Sequence, residues 1–441
     1  MTGDRTPRKL HDEAIMRLSI LILAVVCGAV TGPQKLIAQP VSTAIPALTI
    51  TTSTQGNGMG GIAATLPSSD ASATIANPGQ LGLFSLDNLF SASTYSPKTE
   101  WIPSLEFGNP SLMVSALNAG VNLKDMLSLP FSAGIGIGYS RTLLDFGTLS
   151  LFGSNGPRVD VPLGNETYVN YSIGLGLEYV VRLGIGVNFK KITSRLSTFE
   201  PGPGPAEVTA SPSATDFGIL LNIPIVGIVS KLSRTPLSVV NGIEPFVNMS
   251  VGYVKSDVGD DVIYSNSTQK DPLPRTAKVG LGLEGGLSAR AGKANWSMVS
   301  FALVHQAEDL LVIRHDDGTF EYKGGLGDLK IGENVIIGRT TENVLVRTGW
   351  QIGAAEFLYI RGGSVIGNFY DYSTSGYSVC VGGLVRLLEF ASPEIAGTSW
   401  LAFIGDHIDL QYHSATYSSS ESPLEGTTFK ELNLVVRGFP W

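Results

Sequence analysis

From Trp101 onward, bulky apolar residues alternate with glycine, serine or asparagine at a period of two. Ile135, Ile137 and Tyr139 are separated by Gly136 and Gly138. Ile173, Leu175, Leu177 and Tyr179 are separated by Gly174, Gly176 and Glu178. Leu183, Ile185, Val187 and Phe189 follow the same rule, as do Val279, Leu281 and Leu283, and Tyr377, Val379 and Val381 against Ser378, Cys380 and Gly382. Side chains on a strand point to opposite faces in turn, so each segment has one greasy face and one small or polar face. In a soluble sandwich the second face is usually charged. Here it is nearly free of charge, which fits a wall that turns apolar residues to lipid and small ones to a lumen. The predicted fold class is all-β, a transmembrane antiparallel β-barrel of about 14 strands with an N-terminal hatch or plug, the even number being the one such barrels favour.

The hatch is expected in Asn57–Phe84, a stretch rich in glycine and alanine and low in charge. Its one sharp punctuation is Asn77-Pro78-Gly79. Proline fixes its own φ and drives Asn77 out of the helical region, and Gly79 is free to take positive φ. Asn77 can also hydrogen-bond its local backbone, so a rigid structural turn is predicted there, with Asp70 ahead of it. Ser91–Pro97 reads as a loop. Leu105–Phe107 and Leu149–Phe152 read as further strands. Glu200–Pro212 carries enough proline and glycine to exclude a strand. Gly227–Gly242 is apolar enough for a short helix.

Composition narrows the class. Of 441 residues only 15% are charged, 52 are glycine, and mean hydropathy is +0.19. A polytopic helical protein would show several long apolar blocks. The single block here, Leu18–Val30, is too short to span a hydrocarbon core of about 30 Å. Arg17 before it and small residues after it give the layout of a secretory leader, so residues 1–39 are assigned to a signal region, with Met16 as an alternative start. Residues 40–97 are assigned to a lead and hatch, and residues 98–441 to the barrel. Cys27 has valines rather than a small residue before it, which argues against lipidation. The exported chain then keeps only Cys380 and forms no internal disulfide, the pattern of a bacterial envelope protein. Net charge is −8 with pI near 5.2, without a basic cluster, so nucleic acid is excluded as a partner.

Candidate chemistry is sparse. Gly280-Leu-Gly282-Leu-Glu-Gly285 matches a dinucleotide fingerprint on paper but continues a period-two strand. Gly286–Lys293 has the wrong spacing for a phosphate loop, and Ala294 stands where Ser or Thr would be needed. His315 lies beside Asp316 and Asp317 in a loop. His407 and His413 are expected on one face of one strand, too far apart for one metal. Asp257, Asp260 and Asp261 are a weak calcium motif, short of ligands. No G-x-S-x-G occurs, so an outer-membrane hydrolase would need a Ser and a His facing each other at the barrel rim. No catalytic, cofactor or metal residue is assigned, and the chain is expected not to be an enzyme.

Gly58-Met59-Gly60-Gly61, Asp70-Ala71 and Asn77-Pro78, with Gly79 where an alanine is usual, resemble the N-terminal hatch of the PorV/PorQ-type outer-membrane proteins, a branch of the FadL-like barrels. Leu183-Gly-Ile-Gly-Val-Asn-Phe-Lys190 and Ala214-Thr-Asp216-Phe-Gly218 resemble two further motifs of that family, at Lys190, Asp216 and Gly218. Pro272–Arg275 and Arg361–Gly363 sit where the family places such groups. The resemblance implies a fourteen-stranded barrel in outer-membrane lipid. It also implies one of two roles. PorV-like members work with type IX secretion components and exported cargo, and FadL-like members pass hydrophobic solutes. The PorV-like role is the first expectation and the FadL-like one the alternative.

Overall fold

A computed structural model describes residues 43–438 apart from 104–107, 152–158, 199–205, 234–241, 266–267, 292–293, 316, 342, 368–370, 393–398 and 420–421. The leader, Cys27, the Leu105–Phe107 strand and the terminal Phe439, Pro440 and Trp441 lie outside the described residues. The wall has fourteen strands. They are β1 (Asn88–Tyr95), β2 (Ser111–Asn122), β3 (Ser132–Asp145), β4 (Gly164–Glu178), β5 (Arg182–Thr198), β6 (Ser213–Pro224) and β7 (Ile243–Gly259). Then come β8 (Thr276–Ala291), β9 (Ala294–Leu310), β10 (Val344–Ala354), β11 (Leu358–Ile366), β12 (Tyr372–Cys380), β13 (Ile408–Ser418) and β14 (Thr428–Arg437). Each pairs antiparallel with its sequence neighbours, and β1 closes the ring by pairing with both β14 and β2. Closure leaves the wall without an open edge, as a sheet in lipid requires. Among the described residues no helix is long and apolar enough to cross a membrane.

The period-two pattern does what it predicted. Ile137, Ile173 and Leu175 face outward uncovered, while Asn118, Ser140, Asn170 and Asn188 are buried on the lumenal side. Turns at one end are short, between β4 and β5 and between β10 and β11, and connections at the other end are long, notably those after β3, β7 and β9. Outer-membrane barrels keep short turns in the periplasm and long loops outside.

Residues 43–87 run down the lumen from the long-loop end to the short-turn end. They contain the short helices α1 (Thr54–Asn57) and α2 (Ala73–Ala76) and the longer α3 (Gly79–Asp87). Near the long-loop end the hatch residues Ile45, Ala47, Ile50 and Ile75 share an apolar core with Tyr95, Leu112, Leu144, Tyr168 and Phe429 of the wall. This half of the lumen is therefore greasy rather than small and polar, because the plug's own apolar residues need a dry partner.

Several elements differ from expectation. Ser91–Tyr95, expected as loop, lies in β1, so the wall begins at Asn88 and not at position 98. Ala206–Ala210, in a stretch where a strand was excluded, forms a short strand beside β5, just past the prolines. Leu149 and Leu151 belong to a hairpin, 148–151 with 159–162, outside the wall. β12 stops at Cys380, and Val381 and Gly382 open the helix α5 (Val381–Ala391), once α4 (Ile225–Ser233) is counted after β6 as the sequence suggested. His407 ends α6 (Ser399–His407) and does not share a strand with His413.

Candidate functional site

The Asn77-Pro78-Gly79 turn forms as a joint between two helices. Asn77 is extended (φ −149°, ψ 107°) at the end of α2, and Pro78 (φ −62°) caps α3. The Asn77 side-chain amide donates to the carbonyls of Ala64 at 2.7 Å and Ile219 at 3.2 Å, and its Oδ1 accepts from the Gly79 N–H at 2.9 Å. One side chain thus ties two hatch segments to β6. Gly79 does not use positive φ; it is helical. Glycine is needed there because a Cβ would meet Gly184 O and Leu220 N at 3.0 Å.

The wall answers with glycines of its own. Gly120, Gly136, Gly174, Gly186 and Gly218 are register partners across β2 to β6, forming one transverse row. Helix α3 lies directly on it. A Cβ on Gly174 would stand 2.6 Å from Gly82 N, on Gly136 2.8 Å from the Leu81 side chain, and on Gly120 2.7 Å from Ser85 Cα. Gly218, at the predicted family position, would clash with Asn77 and Pro78 themselves. The glycine face of the strands is therefore a seat for helix backbone, not the lining of an open pore. A second seat holds the turn at Gly60, where Gly349 and Gly363 leave room for Met59. Gly60 N donates to Thr374 Oγ1 at 2.8 Å, and Arg347 Nη1 donates to Gly60 O at 3.0 Å.

Lys190 and Asp216 are brought together beside this joint. Lys190 Nζ lies 3.0 Å from Asp216 Oδ1 and 2.7 Å from Asp257 Oδ1, all three buried. Asn188 bridges to the plug, donating to Asp216 Oδ2 at 3.1 Å and to Thr74 O at 3.2 Å. Asp257 is thus a structural ion-pair partner. Asp260 instead accepts from Ser213 and Asp261 pairs with Lys270, so the three aspartates of the weak calcium motif do not converge. Among the described residues no cluster has a metal-binding arrangement.

Asp70 lies deep in the plug, accepting from Ser72 N at 2.9 Å and Ser72 Oγ at 2.7 Å. Glu431 of β14 adjoins it and accepts from Thr54 N at 3.2 Å. Burial pushes the Asp70 carboxyl above its ordinary value, against the pull of the Ser72 hydrogen bonds. Sequence reasoning did not find Glu431, Arg347, Tyr95 or Tyr417 as plug contacts. Tyr95 donates to Thr52 O and Tyr417 to Asn57 Oδ1, both at 2.6 Å, and no local pattern marks an inward residue as a plug partner.

Among the described residues, two of the cavities that border the plug are large enough to matter. One, of about 290 Å³, separates Gln55–Ser69 from β8 and β11 to β14 and is lined by Glu284, Glu356, Arg361, Asp409, His413 and Arg437. On its wall Ser378 Oγ and His413 Nδ1 lie 2.6 Å apart, with Arg361 donating to the same hydroxyl. This is a Ser–His pair, but it is buried in the wall and not at the rim. The other ring nitrogen meets Gln55 at 3.2 Å, so no carboxylate orients the imidazole as a base. The second cavity, of about 850 Å³, lies at the foot of β1 and β2 among Leu86, Leu89, Val121 and Met126. There β1–β2 pairing stops at Phe90 and Ala119, leaving Gly120–Asn122 without a β1 partner, and a register shift frees Leu89 from β14.

No family model matches the chain, and no curated protein matches it either. Solved structures to which it is similar include the Ralstonia pickettii toluene transporter TbuX, at 13% identity and TM-score 0.40 over 87% of this chain and 96% of that one. The Pseudomonas putida toluene transporter TodX is another, at 10% identity and TM-score 0.38 over 88% and 98%. A third is the β-domain of the Bordetella autotransporter BrkA, at 9% identity and TM-score 0.34 over 80% and 100%. The architecture rests on the strand pairing itself.

Proposed function

We propose that this protein is a plugged, non-enzymatic outer-membrane channel for hydrophobic small molecules, of FadL-like type, exported by its N-terminal leader. The observation that carries this reading is the notch at the foot of β1 and β2. It brings the inward-facing Ser85 and Gly120 and the outward-facing Leu89 and Val121 to one cleft, where Leu86 and Met126 add apolar surface beside the polar Asp87, Asn122, Lys124 and Asp125. The apolar side of such a cleft offers an apolar solute a surface along which to pass between lumen and lipid. The test is saturable uptake of a monoaromatic hydrocarbon by cells carrying the protein, compared with Leu89→Arg and Val121→Arg variants. Loss of uptake in folded variants supports the reading; wild-type uptake no better than that of cells lacking the protein sinks it.

A second reading is a PorV-like partner of type IX secretion. It is favoured by Ile331, Ile336 and Ile337, uncovered apolar residues on the long connection after β9, a surface suited to exported cargo. Deleting the gene and measuring cargo secretion tests it, and unchanged secretion counts against it.

A further inference from the structure

Two connections at the short-turn end are helical. α4 follows Pro224, the last residue of β6, with no linker, and α5 follows Cys380 of β12 equally directly. α6 runs straight into Ile408, the first residue of β13. Each helix therefore meets the wall at the depth where its strand ends, which is the membrane interface.

The polarity of α5 is inverted relative to helices bordering water, and α4 and α6 also turn apolar residues outward. In α5 the charged residue Arg386 is buried, donating to Glu356 Oε2 at 2.6 Å and to Gly405 O at 3.1 Å. Val381, Leu384 and Leu388, spaced along one helical face, are uncovered. α6 leaves Trp400 60% exposed and Phe403 uncovered, and α4 leaves Ile225, Val229 and Leu232 uncovered. These stripes continue the outward apolar side of the strands beside them: Ile360 on β11, Tyr377 on β12 and Leu410 on β13, and Phe217 and Ile219 on β6. The two helical insertions stand six strands apart around the wall, close to opposite sides.

We infer that α4, α5 and α6 lie in the periplasmic leaflet, with their apolar stripes among phospholipid acyl chains. They form a two-sided collar that fixes the depth of the barrel. A helix with an apolar face and an aromatic residue at the headgroup level binds such an interface. Lys231 on α4, exposed beside Leu232, is the one charge of its helix and can extend its ammonium to the headgroup phosphates. The strand belt already faces lipid, and no separate partner is needed to cover the helices.

The test uses the full-length protein in vesicles of phosphatidylethanolamine and phosphatidylglycerol. Nitroxide labels at Leu388→Cys and Val229→Cys are compared with Ile173→Cys on the lipid-facing wall and Asp317→Cys on a long loop. Signal from the unsubstituted protein is subtracted. Collisions with oxygen exceeding those with a water-soluble nickel chelate at 388 and 229, as at 173, support the collar. Nickel collisions dominating at either site, as at 317, overturn the inference for that helix and give its face to water or to a protein. An independent measurement compares wild type with Trp400→Phe in vesicles containing brominated phospholipid. The Trp400 share of the emission should be quenched; if the quenched fraction is unchanged by Trp400→Phe, α6 does not lie in the leaflet.

Discussion

Gly174 stands in the middle of the transverse glycine row, and replacing it with alanine probes the seat of the plug directly. The new Cβ would lie 2.6 Å from Gly82 N and 2.9 Å from both Leu81 C and Leu81 Cβ, where ordinary contact begins at 3.4 Å. The nearest atoms belong to helix backbone and cannot rotate away, so α3 must lift from the wall. Overpacking of this kind costs about 1–3 kcal/mol. If the whole cost falls on the docked plug, its opening equilibrium rises about 5- to 150-fold. Hydrogen exchange reads this as the same factor in the amide rates of Gln80 and Leu81, whose bonds to Asn77 O and Pro78 O hold the start of α3. Gly285→Ala is the control, since its Cβ would meet Phe246 O at an ordinary 3.4 Å. Exchange rates in Gly174→Ala equal to those of wild type and of Gly285→Ala would refute the claim that the glycine row carries the helix.

Three further outcomes are expected. Burial raises the carboxyl of Asp70 in the docked plug, so the docked state holds its proton more firmly than the released one. Docking is then tightest below the ordinary carboxylate pKa of about 3.9 and loosens as pH rises through the raised value. Glu431 adjoins Asp70 and is buried with it, so the double variant Asp70→Asn, Glu431→Gln should flatten the pH dependence of proteolytic cleavage between residues 66 and 72, and an unchanged profile contradicts the assignment. Lys190→Met leaves Asp216 and Asp257 buried without their cation, a loss of about 3–5 kcal/mol. It should lower the temperature at which the folded barrel gives way to the unfolded band on a gel, and a wild-type transition argues against the pair's role. Ile173→Arg puts a charge on the lipid face at a cost of about 2–4 kcal/mol near the midplane. Refolding into vesicles should weaken accordingly, and unimpaired refolding would show that this face is not in lipid.

Much of the wall is legible because a half-buried strand must repeat at two residues, and lipid keeps charge off the face it touches. β1 escaped notice for a physical reason. Its inward residues Ser91 and Ser93 and outward Ala92 and Thr94 differ little in polarity, so no amphipathic contrast marks a strand. The alternation of Tyr377, Val379 and Val381 carries the strand pattern into the first residues of α5; the helix starts where the wall ends, which local pattern does not record. The small residues of Asn57–Phe84 and its Asn77-Pro78 turn fall within the segment 43–87 that lies inside the wall. Its seat is half visible: the period-two pattern turns the strand glycines to the lumen, whereas their alignment across five strands depends on register, which only pairing reveals. Lys190 and Asp216 were singled out, but their partner Asp257 comes from a third strand, and nothing in its own neighbourhood points back to them.

The central claim is that residues 43–87 close the lumen by seating on the wall. Single-channel conductance in a planar bilayer tests it most directly, comparing the whole protein with a variant lacking residues 43–87. The account predicts a wild-type barrel silent to ions and a steady open conductance once the plug is removed. A wild-type protein that conducts as freely as the plugless variant, or a plugless barrel that stays closed, would contradict it.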